Sequence, residues 1–187
     1  MTVCGIVLAA GAGTRFGGAK QLAQLEGRPL LEHALATMTT ACERVVVVLG
    51  AHAEAIAAAV HLGDARPVLC EEWNEGQAAS LRRGVAALSG ERKVLVLLGD
   101  QPFVTPPVLE SLAAEPPGSR AAYRGVPGHP AVVGPRLMAL ARTLSGDRGL
   151  RDLVRWRLVE VGDLASDHDL DTPDDLEVIR DEARARL

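Results

Sequence analysis

Three apolar runs of strand length most strongly constrain how this chain can fold. The run at 3–10 reads VCGIVLAA, the run at 44–50 reads RVVVVLG, and the run at 93–98 reads KVLVLL. None of them alternates with polar residues, a pattern typical of strands that are covered on both faces in a parallel sheet. Because a helical pattern follows each run after a turn, the chain is predicted to build βαβ units.

These units predict the fold class, an α/β protein with a mainly parallel, doubly wound sheet. Further strands are predicted at 67–71, 120–124, 131–134 and 156–162. The Gly/Pro-rich residues 125–130 are predicted to be a connection between two of them. With 187 residues and no internal repeat or linker, the chain is predicted to form a single domain over 1–187.

Composition argues against several classes of function. A net charge of −4 provides no basic surface for a nucleic-acid backbone, so no nucleic-acid partner is expected. The apolar runs reach about eight residues, too short to span a membrane, so no membrane association and a cytoplasmic location are expected. The three cysteines lie far apart in or beside apolar runs, which predicts buried thiols and no structural zinc site.

The first apolar run leads into a glycine-rich, cationic segment, GAGTRFGGAK, at 11–20. Successive backbone N–H groups of such a segment can turn toward an anion, and Arg15 and Lys20 add positive charge. The segment is not a Walker loop, because no GK[ST] follows, and it is not the full dinucleotide fingerprint. The pattern leaves two interpretations open, a phosphate-binding loop and a structural turn.

Asp100 lies directly after the apolar run at 93–98, in a Gly-Asp-Gln-Pro turn. Ligands of open α/β sheets collect beyond the carboxyl ends of the strands, and Mg²⁺ usually binds one or two carboxylates plus phosphate oxygens. Asp100 is therefore a candidate magnesium ligand, with a turn or helix-capping role as the alternative. Asp169 and Asp171 are candidates for a second carboxylate, although Asp171 or Thr172 also fits a helix cap.

Other polar segments offer weaker signals. WNEGQAASL at 73–81 places amides and hydroxyls before a helix, where they can bind a base or a ribose or simply form a turn. The loop SGDRG at 145–149 offers Arg148 to an anionic substrate or is a plain interhelical loop. His129 stands in a tight Gly-His-Pro loop and is a candidate for ligand contact, whereas His52 is predicted to be solvated or at the edge of the core.

Taken together, these segments resemble the nucleotidyltransferase family that activates the molybdenum cofactor. The similarity runs from Leu8 to Leu176 and preserves the family's order and spacing. It is carried by LAAGAGTRFGGAK, GQAASL, GDQPFVTP, GHP, SGDRG and DLDTPDDL. The resemblance implies a Mg²⁺-dependent transferase in which an acceptor phosphate attacks the α-phosphorus of a nucleoside triphosphate and pyrophosphate leaves.

The resemblance also implies roles for particular residues. Arg15, Lys20 and Asp100 are expected to act in catalysis, and Asp100 is expected to bind Mg²⁺ together with Asp171 or Asp169. The residues expected to bind the nucleotide are Leu8, Ala9, Ala10, Gly11, Gly13, Gly76, Gln77 and Ser80. The residues expected to face a pterin substrate are Gly128, His129, Asp147 and Arg148.

Substrate choice follows from the same resemblance. LAAG and GDQP are similar to the cytidylyl enzymes of the family, whereas guanylyl enzymes tend to have LAGG and GDMP, so CTP is expected and GTP is the alternative. The expected acceptor is the phosphate of molybdopterin, and the implied downstream partner is a molybdoenzyme that receives the product. The alternatives are a sugar phosphate or other small phosphate as acceptor, or a non-catalytic module that delivers cofactor. The loop also resembles that of methylerythritol phosphate cytidylyltransferases, but their HDAARP segment has no counterpart in this chain.

Overall fold

A computed structural model of the protein describes residues 2–162, 172 and 175–178. Its strands are β1 (Cys4–Ala9), β2 (Gln24–Leu25), β3 (Arg28–Pro29), β4 (Arg44–Leu49), β5 (Arg66–Leu69), β6 (Val94–Leu98), β7 (Ser119–Tyr123), β8 (Val126–Val133) and β9 (Arg157–Glu160). Its helices are α1 (Leu30–Ala41), α2 (Ala53–Ala59), α3 (Gln77–Ala87), α4 (Pro106–Ala114) and α5 (Pro135–Ala141). Short 3₁₀ turns lie at Lys20–Leu22, Trp73–Glu75 and Leu150–Asp152.

The central sheet has seven strands in the order β5-β4-β1-β6-β8-β7-β9, and β2 pairs with β3 in a separate small hairpin. The strands β5, β4, β1 and β6 are parallel to one another. β8 runs antiparallel to both of its neighbours, and β9 is parallel to β7. The predicted mainly parallel α/β sheet is therefore confirmed.

The core explains why the apolar runs have no polar alternation. Successive side chains of a strand point to opposite faces of the sheet, and both faces are covered here. Val7 and Leu97 pack on the face covered by α1, α2 and α4. Ile6 and Val96 pack on the face covered by α3 and α5. The sheet is thus doubly wound.

Within the described part of the chain, no helix is long and apolar enough to cross a membrane.

The prediction that residues 125–130 form a connection is wrong, because residues 126–130 form the first part of β8 and Gly125 alone lies in a turn. A two-residue turn joins β7 to β8, in which Arg124 and Gly125 have φ of 52° and 82°. Gly128 lies against the ring of Tyr123, so close that a Cβ would be 2.6 Å from the ring Cε2 atom. The glycine therefore allows close packing within the sheet. The pairing of β7 with β8 is irregular between Arg120 and Ala122, close to the β8 prolines Pro127 and Pro130.

Candidate functional site

A cavity of about 490 Å³ opens where β1 and β6 end, beside the start of α3. This is the edge at which ligands of open α/β sheets bind. The predicted site residues in its lining are Leu8, Ala9, Ala10, Gly11, Arg15, Lys20, Gly76, Gln77, Ser80, Asp100 and Asp147. The fold therefore brings together four segments that are far apart in the sequence.

Lys20 and Asp100 form an ion pair inside this cavity. Asp100 follows β6, while Lys20 opens the 3₁₀ turn after the glycine-rich segment. The side chain of Lys20 is only 19% exposed and that of Asp100 only 10%. The attraction between the two charges is therefore screened less than at the surface. Two residues that the sequence nominated separately thus meet in one site.

Residues 10–18, called the glycine loop below, are held by hydrogen bonds to their carbonyl groups. The buried Gln21 side chain donates from Nε2 to the carbonyl oxygens of Ala9, at 2.9 Å, and Gly11, at 3.1 Å. Gly13 has φ +64°, and a Cβ there would lie 2.0 Å from the carbonyl oxygen of Gly18. Gly13 therefore shapes the turn and does not itself line the cavity, unlike Gly11.

The loop at 145–149 docks on the start of α3. The N–H of Ala78 donates to the carbonyl oxygen of Gly146 at 3.0 Å. Gly76 has φ +107°, and a Cβ there would lie 2.5 Å from the backbone of Gly146, so only glycine permits this approach. Docking brings Asp147 into the lining of the cavity, whereas Arg148 is exposed and lies outside that lining.

A smaller recess of about 190 Å³ adjoins the cavity and shares Leu8, Gln77 and Leu98 with it. We call it the recess; the polar residues that it does not share with the cavity are Arg120, His129 and Arg151. In the antiparallel register of β6 and β8, Val96 pairs with Ala131. Continued by two residues, this register places His129 beside Leu98, the last residue of β6. The recess therefore opens at the same edge of the sheet as the cavity.

The electrostatics of the recess depend on Arg120 and His129. Arg120 donates from Nε to the carbonyl oxygen of Gly128, next to His129. Burial, and secondarily the charge of Arg120, lower the pKa of His129 to about 3. The imidazole is consequently neutral at physiological pH, and the arginines provide the positive charge of the recess.

The donor set of the cavity fits magnesium in the way that nucleotide enzymes bind it. Asp100 and Asp147 are the carboxylates in the described lining, and phosphate oxygens usually complete the shell of a Mg²⁺ held by one or two carboxylates. Among the described residues, no group of three or more His, Cys, Asp or Glu side chains could hold a metal without a substrate. Asp169 and Asp171 lie outside the described residues.

Several residues at the site were not found by sequence reasoning. Gln21 and His52 contact the glycine loop, Trp73 lines the cavity, and Arg120 and Arg151 line the recess. Only the position of Gln21, next to Lys20, hinted at such a role. No local pattern points to the roles of His52, Trp73, Arg120 and Arg151, because these roles depend on segments that meet only in the fold.

Comparisons with known proteins agree with the sequence resemblance. Residues 5–161 match the family described as the MobA-like NTP transferase domain. Nicotine blue oxidoreductase from Paenarthrobacter nicotinovorans is 38% identical over 188 residues, which cover 91% of this chain and 92% of that protein.

Solved structures have the same fold along the whole chain. The manganese complex of Rv0371c from Mycobacterium tuberculosis has a TM-score of 0.80 at 27% identity, covering 97% of this chain and 99% of that one. A nucleotidyl transferase from Methanothermobacter thermautotroptrophicus has a TM-score of 0.82 at 25% identity, covering 100% and 99%. The chain therefore belongs to the family of MobA-like NTP transferase domains, a nucleotidyltransferase family.

Proposed function

We propose that this protein is a Mg²⁺-dependent cytidylyltransferase that transfers CMP from CTP to the phosphate of molybdopterin and releases pyrophosphate. The observation that carries the proposal is the contact between Lys20 and Asp100 in a cavity lined by the glycine loop. Nucleotidyl transfer requires little more than positioning and neutralisation of phosphate charge. A cation for phosphate and a carboxylate for a metal ion are the groups that supply both.

The reaction proceeds by in-line attack of an acceptor phosphate oxygen on the α-phosphorus, with pyrophosphate leaving from the opposite side. No general base is needed, because the acceptor oxygen is already anionic. When bound at Asp100, Mg²⁺ supplies charge neutralisation at the phosphate oxygens. Lys20 and Arg15 bind the triphosphate, and Lys20 exchanges its contact with Asp100 for one with the substrate. The manganese complex of Rv0371c, a structural relative, supports a divalent ion in this family.

The recess supports a second substrate that carries a phosphate. It shares a wall with the nucleotide cavity, so a group bound there lies next to the nucleotide. Arg120 and Arg151 suit an anionic acceptor, and the neutral His129 offers hydrogen bonds without adding charge. We assign the acceptor to the recess and the nucleotide to the cavity.

The preference for CTP is proposed from the LAAG segment. Ala10, the position at which guanylyl enzymes tend to have glycine, is buried and lines the cavity. The backbone of Gly50 packs against its methyl group, since a Cβ on Gly50 would lie 2.8 Å from the Cβ of Ala10. This methyl therefore occupies fixed space beside the nucleotide, which supports a smaller base.

One observation favours a second candidate function, that of an oxidoreductase. The relative with 38% identity over 91% of this chain is named nicotine blue oxidoreductase. The glycine loop lacks the full dinucleotide fingerprint, and a Lys–Asp pair in the cavity suits triphosphate chemistry better than hydride transfer. Nucleotidyl transfer is therefore our first proposal.

The test is pyrophosphate release by the purified chain with Mg²⁺, each nucleoside triphosphate in turn, and molybdopterin or a sugar phosphate as acceptor. We expect release with CTP and molybdopterin, faster than with GTP. Release only with a sugar phosphate would contradict the acceptor, and equal rates with CTP and GTP would contradict the base preference. Nucleotide binding without turnover would favour a delivery module, and dye-dependent oxidation of a reduced nicotinamide would favour the oxidoreductase.

A further inference from the structure

We propose that His52 is a positioning residue that holds the glycine loop in its phosphate-binding conformation. His52 lies between β4 and α2, and its Nε2 atom is 2.9 Å from the carbonyl oxygen of Ala12. A carbonyl oxygen accepts hydrogen bonds, so this contact requires a proton on Nε2. The inference rests on the proposed function, because it concerns the loop that we assign to the triphosphate.

The carbonyl groups of four consecutive residues, 9–12, each accept a hydrogen bond from outside the glycine loop. The Gln21 amide donates to Ala9 and Gly11, the N–H of Ala51 donates to Ala10 at 3.1 Å, and His52 binds Ala12. Two of these donors, Ala51 and His52, come from the turn after β4. This turn thus ties the middle of the glycine loop to a separate part of the fold.

The hydrogen bonds determine where the N–H groups of the loop point. Across a trans peptide, the carbonyl of one residue and the N–H of the next point in opposite directions. The N–H groups of Gly11, Ala12 and Gly13 therefore face away from the three donors. In the part of the chain that the structure describes, none of them donates to a backbone carbonyl. Because Ala10, Gly11 and Ala12 line the cavity, the N–H groups of Gly11 and Ala12 are available to phosphate oxygens.

His52 is the side chain that fixes the Ala12–Gly13 peptide. Without it, this peptide can rotate and displace the adjoining N–H groups of Gly11 and Ala12, since Gly11 and Gly13 tolerate many backbone conformations. We assign the loop N–H groups to phosphate oxygens away from the bond that breaks. Such contacts act equally in the ground state and the transition state, so loosening the loop affects substrate binding more than turnover. The role of His52 is therefore visible as a change in KM and not in kcat.

The experiment compares His52→Ala and His52→Gln with wild type, with His61→Ala as the matched control. His61 is an exposed histidine just beyond α2, outside the lining of both the cavity and the recess. We expect His52→Ala to raise KM for the nucleotide about fivefold to tenfold, the effect of losing one hydrogen bond, with kcat changed less than about twofold. The glutamine amide reaches as far as Nε2, so His52→Gln is expected to restore most of the affinity.

Calorimetric titration with inorganic tripolyphosphate and Mg²⁺ measures the same effect without an acceptor or a base. We expect His52→Ala to weaken tripolyphosphate binding by the same factor as KM and His61→Ala to leave it unchanged. Wild-type affinity in both His52 variants would overturn the positioning role while leaving the proposed function intact. If wild type itself binds neither tripolyphosphate nor nucleotide, the proposed function fails instead. If His52→Ala does not fold, His52→Leu takes its place, since leucine fills similar space but has no hydrogen-bond donor. Wild-type tripolyphosphate affinity in His52→Leu would then overturn the proposal.

Discussion

The cavity and the recess share one wall but are built from opposite kinds of chemistry. The cavity combines backbone N–H groups with an ion pair between Lys20 and Asp100, and its carboxylate fits a metal ion. The recess has arginines and a neutral histidine and contains no carboxylate among its described lining residues. We therefore propose that the metal and the triphosphate bind in the cavity and that the anionic acceptor binds in the recess without a metal. Each substrate can therefore be perturbed separately.

The largest expected effect is on the cavity side. Asp100→Asn keeps the shape of the side chain and removes its charge, so turnover is expected to fall at least ~100-fold. Steady-state pyrophosphate release measures this, with Asp64→Asn, an exposed aspartate outside both pockets, as the control. Near-normal turnover in Asp100→Asn would remove this residue from the mechanism.

Arg120→Gln tests the recess. It removes a charge that we assign to acceptor binding, so KM for the acceptor is expected to rise about tenfold while KM for the nucleotide stays the same. The comparison is with Arg155→Gln, which changes an exposed arginine outside the recess. An equal rise in both KM values would mean that the two pockets are not separate binding sites.

His129 makes a smaller contribution that depends on pH. Its pKa is about 3 in the folded chain and 6.5 in the unfolded reference, so only the unfolded chain takes up this proton between those values. The contribution of His129 to stability is therefore complete above pH 6.5 and is lost as the pH falls toward 3, by at most about 1.4 kcal/mol per pH unit. Urea unfolding at several pH values is expected to show a shallower acid loss for His129→Gln than for wild type. Parallel pH dependences would contradict a neutral, buried imidazole in the recess.

The smallest expected effect concerns the base. Ala10→Gly removes the methyl group that Gly50 packs against, and we expect the ratio of CTP to GTP kcat/KM to fall about threefold to tenfold. The control is Ala36→Gly, an exposed helical position at which glycine costs about 1 kcal/mol of stability without reaching the cavity. An unchanged ratio in Ala10→Gly would show that the base is selected elsewhere.

Sequence reasoning succeeded where a role is written into a local pattern. The apolar runs predicted the parallel strands because a strand covered on both faces has no position for a polar side chain. Asp100 was nominated because it directly follows a predicted strand, and Lys20 because it is a cation of the glycine-rich segment that follows another. The family resemblance added the order of the segments and is confirmed by the match over 5–161.

It was wrong where glycine and proline suggested a loop. Residues 126–130 form part of β8, because a tight turn precedes them and Gly128 packs on the ring of Tyr123 within the sheet. Gly13 and Gly11 look alike in the sequence, yet one shapes the turn and the other lines the cavity. Composition does not distinguish a glycine that bends the chain from one that lets two segments approach.

The local pattern of the chain was enough to assign the α/β class, the three buried parallel strands β1, β4 and β6, and the charged residues nominated beside them, because these depend on short-range patterns. Only the tertiary structure shows the other features. They are the contact of Lys20 with Asp100, the hydrogen bonds from Gln21 and His52 to the glycine loop, and the recess at Arg120. These contacts join residues between 10 and 80 positions apart, and a lone polar residue carries no sign of which carbonyl or carboxylate it meets. The glycine loop was recognisable as a candidate phosphate site from its composition, but the direction of its N–H groups follows only from the donors that the fold places behind it.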